Sequence, residues 1–163
     1  MTLPFGVIYH RWIKDRLQLL QSGGASAFAS VHLSSAAGPT EWQQLPDIYR
    51  APFVQIHAGT IDQETDAVAS GRLHQQREYK DTLLVVTHGT LDVVEERTQV
   101  LADIVYQDVR TWLFGILSIP PASGGEKAQV FTSGQIRFAV FPPNDGIYLS
   151  AAYIPLRVQT RTD

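Results

Sequence analysis

The 163-residue sequence predicts an α+β domain. Its sheet is mixed and mainly antiparallel, flanked by an N-terminal helix and one long helix, with a long inter-strand loop. Three observations carry that prediction. Residues 92–114 place apolar side chains at helical spacing between two groups of strand-like runs. Residues 52–57 and 79–88 before that helix, and 136–141 and 147–158 after it, alternate or are apolar on both faces, as strands require. Apolar residues make up 44% of the chain against 18% charged, and no repeat or linker divides it. Residues 1–163 therefore read as a single domain with a sizeable core.

The elements follow in order. Pro4 and Gly6 precede a helix over residues 7–21, with Tyr9, Trp12, Ile13, Leu17 and Leu20 on one face and Arg11, Lys14 and Arg16 on the rest. Gly23 and Gly24 read as its C-terminal stop. Residues 25–33 are small and weakly periodic, a strand or a loop. Residues 34–46 form a connection around Gly38-Pro39, and its Trp42 is a candidate interface aromatic. Residues 51–59 alternate, with Phe53, Gln55 and His57 on one face and Val54, Ile56 and Ala58 on the other.

Residues 60–77 read as a long polar loop, with acidic Asp62, Glu64 and Asp66 followed by basic Arg72 and Arg77. Such length is uncommon in a compact domain without a function. Residues 79–88 are the strongest strand. The break at His88-Gly89-Thr90 leads into the long helix, where Asp92 and Glu95 have capping-box spacing. Val94, Leu101, Val105 and Trp112 form its apolar stripe, with Val109 beside them. Residues 118–127 form a Pro/Gly loop. Val130 and Phe131 start a strand pattern that residues 136–141 continue. Residues 142–146 (PPNDG) signal a turn. Residues 147–158 are apolar on both faces, as in a strand covered on both sides. Pro155 cannot donate a ladder hydrogen bond, so the end of this strand is expected at an edge or bent away.

Composition narrows the function classes. Net charge is −3 and the pI near 5.9, so no overall basic field holds a phosphate backbone, although DNA can pass such a surface without sticking. Charge is low for a soluble monomer, which suggests that partners cover part of the surface. There is no cysteine, so disulfides, thiolate nucleophiles and zinc–cysteine sites are excluded. The N-terminus turns charged by Arg11 and no apolar run approaches ~18 residues, so neither a signal peptide nor a membrane span is expected, and synthesis and use in a cytoplasm are.

The chemistry-bearing residues are sparse. None of the five histidines has the helical spacing of a metal site. His57 and His88 each end a strand and, as neighbours with Asp62 nearby, would make a metal or acid–base site; strand-end hydrogen bonding is the plainer reading. The segment ASGGEK lacks the full phosphate-loop pattern, and no serine sits in a nucleophile elbow. Glu95 and Glu96 read as solvated first-turn charges that favour the helix dipole. No catalytic residue, metal or cofactor is expected.

The element order resembles the tail terminator, or tail completion, proteins of long-tailed bacteriophages and gene transfer agents. Three features carry the likeness: the amphipathic N-terminal helix, the strand pair joined by a long charged segment, and the helix ERTQVLADIVYQDVRTWL followed by the closing strand IYLSAAYIPLRVQT. The likeness covers about three quarters of the chain and is a pattern of elements without a diagnostic motif. It implies a structural virion protein that forms a ring of six on the end of the tail tube nearest the head. That ring stops tube growth and offers a docking surface to the head-side connector, while DNA passes through it. Assembly would take place in the host cytoplasm. Its partners would be further copies of itself, the tail tube protein and the connector. On this reading Asp62, Glu64, Asp66, Arg72 and Arg77 form a subunit-interface loop whose opposite charges pair across the subunit boundary. The alternatives are a head-side connector or stopper, a tube-associated protein of a contractile tail, and a small enzyme using His57, His88 and Asp62.

Overall fold

A computed structural model describes residues 4–33, 51–67, 73–112, 127–131 and 135–161. In chain order the elements are α1 (Phe5–Gln18), β1 (Gln21–Ser22), β2 (Ala25–Ser26), β3 (Ser30–Leu33), β4 (Phe53–Ala67), β5 (Leu73–Gly89), α2 (Leu91–Val109), β6 (Lys127–Phe131), β7 (Arg137–Asn144) and β8 (Ile147–Arg161). The expected α+β class, with two helices on a mixed and mostly antiparallel sheet, is what the chain forms.

The main sheet runs β3-β4-β5-β8-β6, with β7 also paired to β8. Among the described strands of this sheet only β3 and β4 pair in parallel. β8 is the spine. It pairs with β5 along one side, and on the other side with β7 as far as Tyr153 and with β6 from Arg157. Pro155 falls in the break between those two partners, where no ladder hydrogen bond is required. The expectation that the end of β8 is an edge is therefore corrected: β8 stays between β5 and β6 to Arg161.

Both helices pack on one face of the sheet. Phe5, Tyr9, Ile13 and Leu17 of α1 and Leu101, Ala102, Val105 and Val109 of α2 join Val54, Ile56, Leu83, Val85, Ile154, Leu156 and Val158 in one buried cluster. The opposite face holds a smaller cluster of Phe53, Leu84, Val86, Leu149 and Ala151. The alternation expected along residues 53–58 thus sorts Phe53 from Val54 and Ile56 as predicted. Trp112 is fully buried and meets Trp12 edge-on at 5.6 Å. A buried pair, Thr87 and Thr98, joins β5 to α2 with hydroxyl oxygens 2.5 Å apart, and Thr98 also donates to the Val94 carbonyl at 2.7 Å.

Three local expectations are corrected. Gly23 and Gly24 do not cap α1. They have positive φ and form the two-residue turn of the β1–β2 hairpin, while α1 ends at Leu19 in right-handed geometry. The cap of α2 is Thr90, with no side-chain cap bond. β5 runs to Gly89, so the helix begins immediately after it, and Asp92 lies in the first turn, where its charge still favours the helix dipole. Most importantly, residues 60–67 and 73–77, read as part of an open loop, are strand. β4 and β5 pair continuously from Thr60↔Lys80 to Ala67↔Leu73. β8 stays paired to β5 as far as Gln76↔Arg161, so the pairs from Thr65↔Gln75 to Ala67↔Leu73 are the part that extends beyond β8 as a two-stranded arm. The turn Asp145-Gly146 has positive φ at both residues, as a tight hairpin requires, and confirms the turn read from PPNDG. The Pro/Gly loop lies outside the described residues except for Lys127.

Candidate functional site

The most chemically organised region lies on the β4–β5 pair, within the sheet. Here β4 carries a bulge between His57 and Thr60. Gly59 sits in it, and a Cβ at that position would lie 2.1 Å from the Lys80 carbonyl oxygen. Only glycine allows the two backbones to approach so closely. On the sheet face away from the helices, Lys80 pairs with Asp62 at 2.6 Å and Arg157 with Glu78 at 3.7 Å, an exposed ladder of alternating charge across β4, β5 and β8.

On the helix face, Asp81 takes an inward position of β5 between Tyr79 and Leu83. Its side chain is only 2% exposed. A carboxylate placed there must be supplied with donors. α1 and the bulge supply them. Tyr9 donates its hydroxyl to Oδ2, His10 Nε2 lies 2.8 Å from the same oxygen, and the Gly59 amide donates to Oδ1 at 3.2 Å. Burial pushes the Asp81 carboxyl up to about 6, against a smaller opposing effect of the Gly59 amide. Burial also lowers His10. The rings of Phe5 and Tyr79 pack around Tyr9 at 5.7 and 5.5 Å. This node joins residues 71 and 72 positions apart, and sequence reasoning missed it. The available signal was an aspartate at an inward position within an otherwise apolar strand run.

The residues singled out from sequence lie as follows. Asp62 lies on β4 and Arg77 on β5, where β5 is still paired to β8, and Glu64 and Asp66 lie on β4 opposite Gln76 and His74. Asp62 has an ion-pair partner within its own chain, Lys80. Arg72 and Trp42 lie outside the described residues. His57 and His88 are not neighbours. His57 pairs with Thr82, and His88 lies six positions further along β5, roughly 20 Å at ~3.3 Å per residue. Asp62 is opposite Glu78, further still from His88. Among the described residues no group of three His, Cys, Asp or Glu side chains is placed to hold a metal, and no helix is long and apolar enough to cross a membrane.

Large apolar side chains stand exposed on several elements, among them Leu19 after α1, Leu91, Val93 and Val100 of α2, and Ile61 of β4. On β7, Phe138 and Val140 line a groove of about 350 Å³ with Glu95 and Gln99 of α2.

No protein-family model matches the chain, and no curated protein matches its sequence.

Proposed function

We propose that this protein is a ring-forming structural subunit of the tail-terminator type, which caps a tail tube and presents a docking surface to the head-side connector. The observation that carries the reading is the arm. A hairpin held by backbone pairing to Ala67↔Leu73 keeps its shape in an isolated subunit, as an element that reaches a neighbour must. A closed ring needs two different surfaces that meet head to tail. The β4–β5 hairpin, with Ile61 exposed on β4, and the β7–α2 groove, with exposed Phe138 and Val140, are separate surfaces of suitable kind. In such a ring the action is mechanical: the bound layer blocks further tube addition and its other face admits the connector.

Native mass spectrometry of the purified chain, alone and with tail tubes, tests the reading. A ring of six gives a discrete assembly at six times the 18.1 kDa chain mass. A monomer under both conditions overturns it.

A further inference from the structure

The node at Asp81 touches three elements at once: α1 through Tyr9 and His10, β5 through its own backbone, and the β4 bulge through the Gly59 amide. Gly59 is exposed at the surface of the sheet, yet its N–H is turned onto a buried carboxylate. The ladder resumes one residue later, with Thr60 paired to Lys80, inside a sheet that β8 still flanks. The grip of one side chain on one amide therefore sits at the bulge where the β4 register shifts.

We propose that Tyr9, His10, Asp81 and the Gly59 amide form a proton-operated clamp on the β4 bulge, closed when Asp81 is ionised and slackened when the His10–Asp81 pair takes up a proton. The groups that face the carboxylate are Tyr9 and His10 from α1 and the Gly59 amide from β4, with the rings of Phe5 and Tyr79 around Tyr9. Leu156 is the register partner on β8 and is apolar. Lys80 is paired with Asp62. Among these groups His10 is the one that can carry a positive charge onto the carboxylate.

The chemistry of the two states differs. At neutral pH the pair is a carboxylate beside a neutral imidazole, and Nε2–H donates to Oδ2. The Gly59 amide then makes a charge-assisted bond, about twice as strong as a neutral one. One proton added to the pair is shared between two coupled groups. If it resides on Asp81, Nε2 changes from donor to acceptor and Oδ1 becomes a neutral carbonyl oxygen. If it resides on His10, the imidazolium competes with the amide for the carboxylate's charge. Either way the bond to Gly59 weakens, and it is the bond that ties the bulge to α1.

The test follows the Gly59 amide by NMR in the full-length ¹⁵N-labelled protein between pH 4.5 and 7.5. The expected result is a single titration of the Gly59 resonance, with its hydrogen-exchange protection factor falling about five- to tenfold at the acid end, in line with replacing a charged acceptor by a neutral one. In Asp81→Asn the Gly59 resonance should not titrate. In His10→Gln, which keeps a donor but removes the imidazole, the titration should persist with a displaced midpoint. A Gly59 resonance indifferent to pH in the native protein, or the same titration in Asp81→Asn, overturns the clamp. Should Asp81→Asn fail to fold, an unchanged midpoint in His10→Gln overturns it instead.

Discussion

Asp108 of α2 and Arg16 of α1 form a two-point ion pair, with Nε donating to Oδ2 at 3.1 Å and Nη2 to Oδ1 at 3.0 Å. The carboxylate also accepts from the Trp112 indole at 2.6 Å. One side chain thus ties the ends of both helices together beside the contact between partly buried Trp12 and buried Trp112.

The two partners are unequal, and mutation should show it. Arg16 is 44% exposed, so Arg16→Ala should cost at most about 1 kcal/mol. Asp108→Ala also strands the N–H of a buried indole and should cost about 1–3 kcal/mol. Urea midpoints decide the order; a costlier Arg16→Ala would contradict it.

Leu101 lies in the core cluster, on the stripe of α2 that faces the sheet. Leu101→Ala should destabilise by roughly 2–5 kcal/mol in equilibrium unfolding. A loss below about 0.5 kcal/mol is the behaviour of a surface site and would exclude this packing.

Gly59→Ala should cost about 1–3 kcal/mol, the usual penalty of forcing atoms into a filled space. The added methyl group meets the Lys80 carbonyl, which is backbone and cannot rotate aside. Wild-type stability in this variant would mean that the bulge is wider than described.

The pH dependence of stability has two opposing parts. Asp81 is raised from 3.8 to about 6, so the folded state holds its proton more tightly than the unfolded chain. Its contribution is fully present below 3.8 and is lost as pH rises towards 6, by up to on the order of 3 kcal/mol. His10 is lowered from 6.5, so its contribution is present above that value and is lost as pH falls through the acid range. Comparing His10→Gln with the double variant His10→Gln/Asp81→Asn isolates the first part. The double variant should gain stability relative to the single one as pH rises from 4 to 6.5. A constant difference across that range would show that Asp81 is not raised.

The parts of the fold that were legible in the sequence are those built by one-sided or two-sided apolar burial. α2, β5 and β8 announce themselves because Val94, Leu101 and Val105, or Leu83 to Val86, must leave water together. The strand pairing of residues 60–67 was illegible for the converse reason. Ile61, Asp62 and Gln63 are all exposed, and side chains that remain in water need no alternation. The Asp81 node was illegible because its donors come from the far end of the sequence. Gly23-Gly24 was misread because a helix stop and a tight hairpin both need positive φ, and local residues do not tell them apart.

The position of β8 also governs when the domain can form. It is the last of the described strands to leave the ribosome, yet β5, β6, β7 and α2 all pack directly against it. Until it is made, β5 has no partner on that side, and β6 and β7 have none of their ladder. A nascent chain halted before Ile147 is therefore an unfinished sheet with bare edges, the form most prone to stick to its own kind. Folding is thus deferred until β8 has been made and, being dominated by pairings distant in sequence, should be slow for a domain of this size.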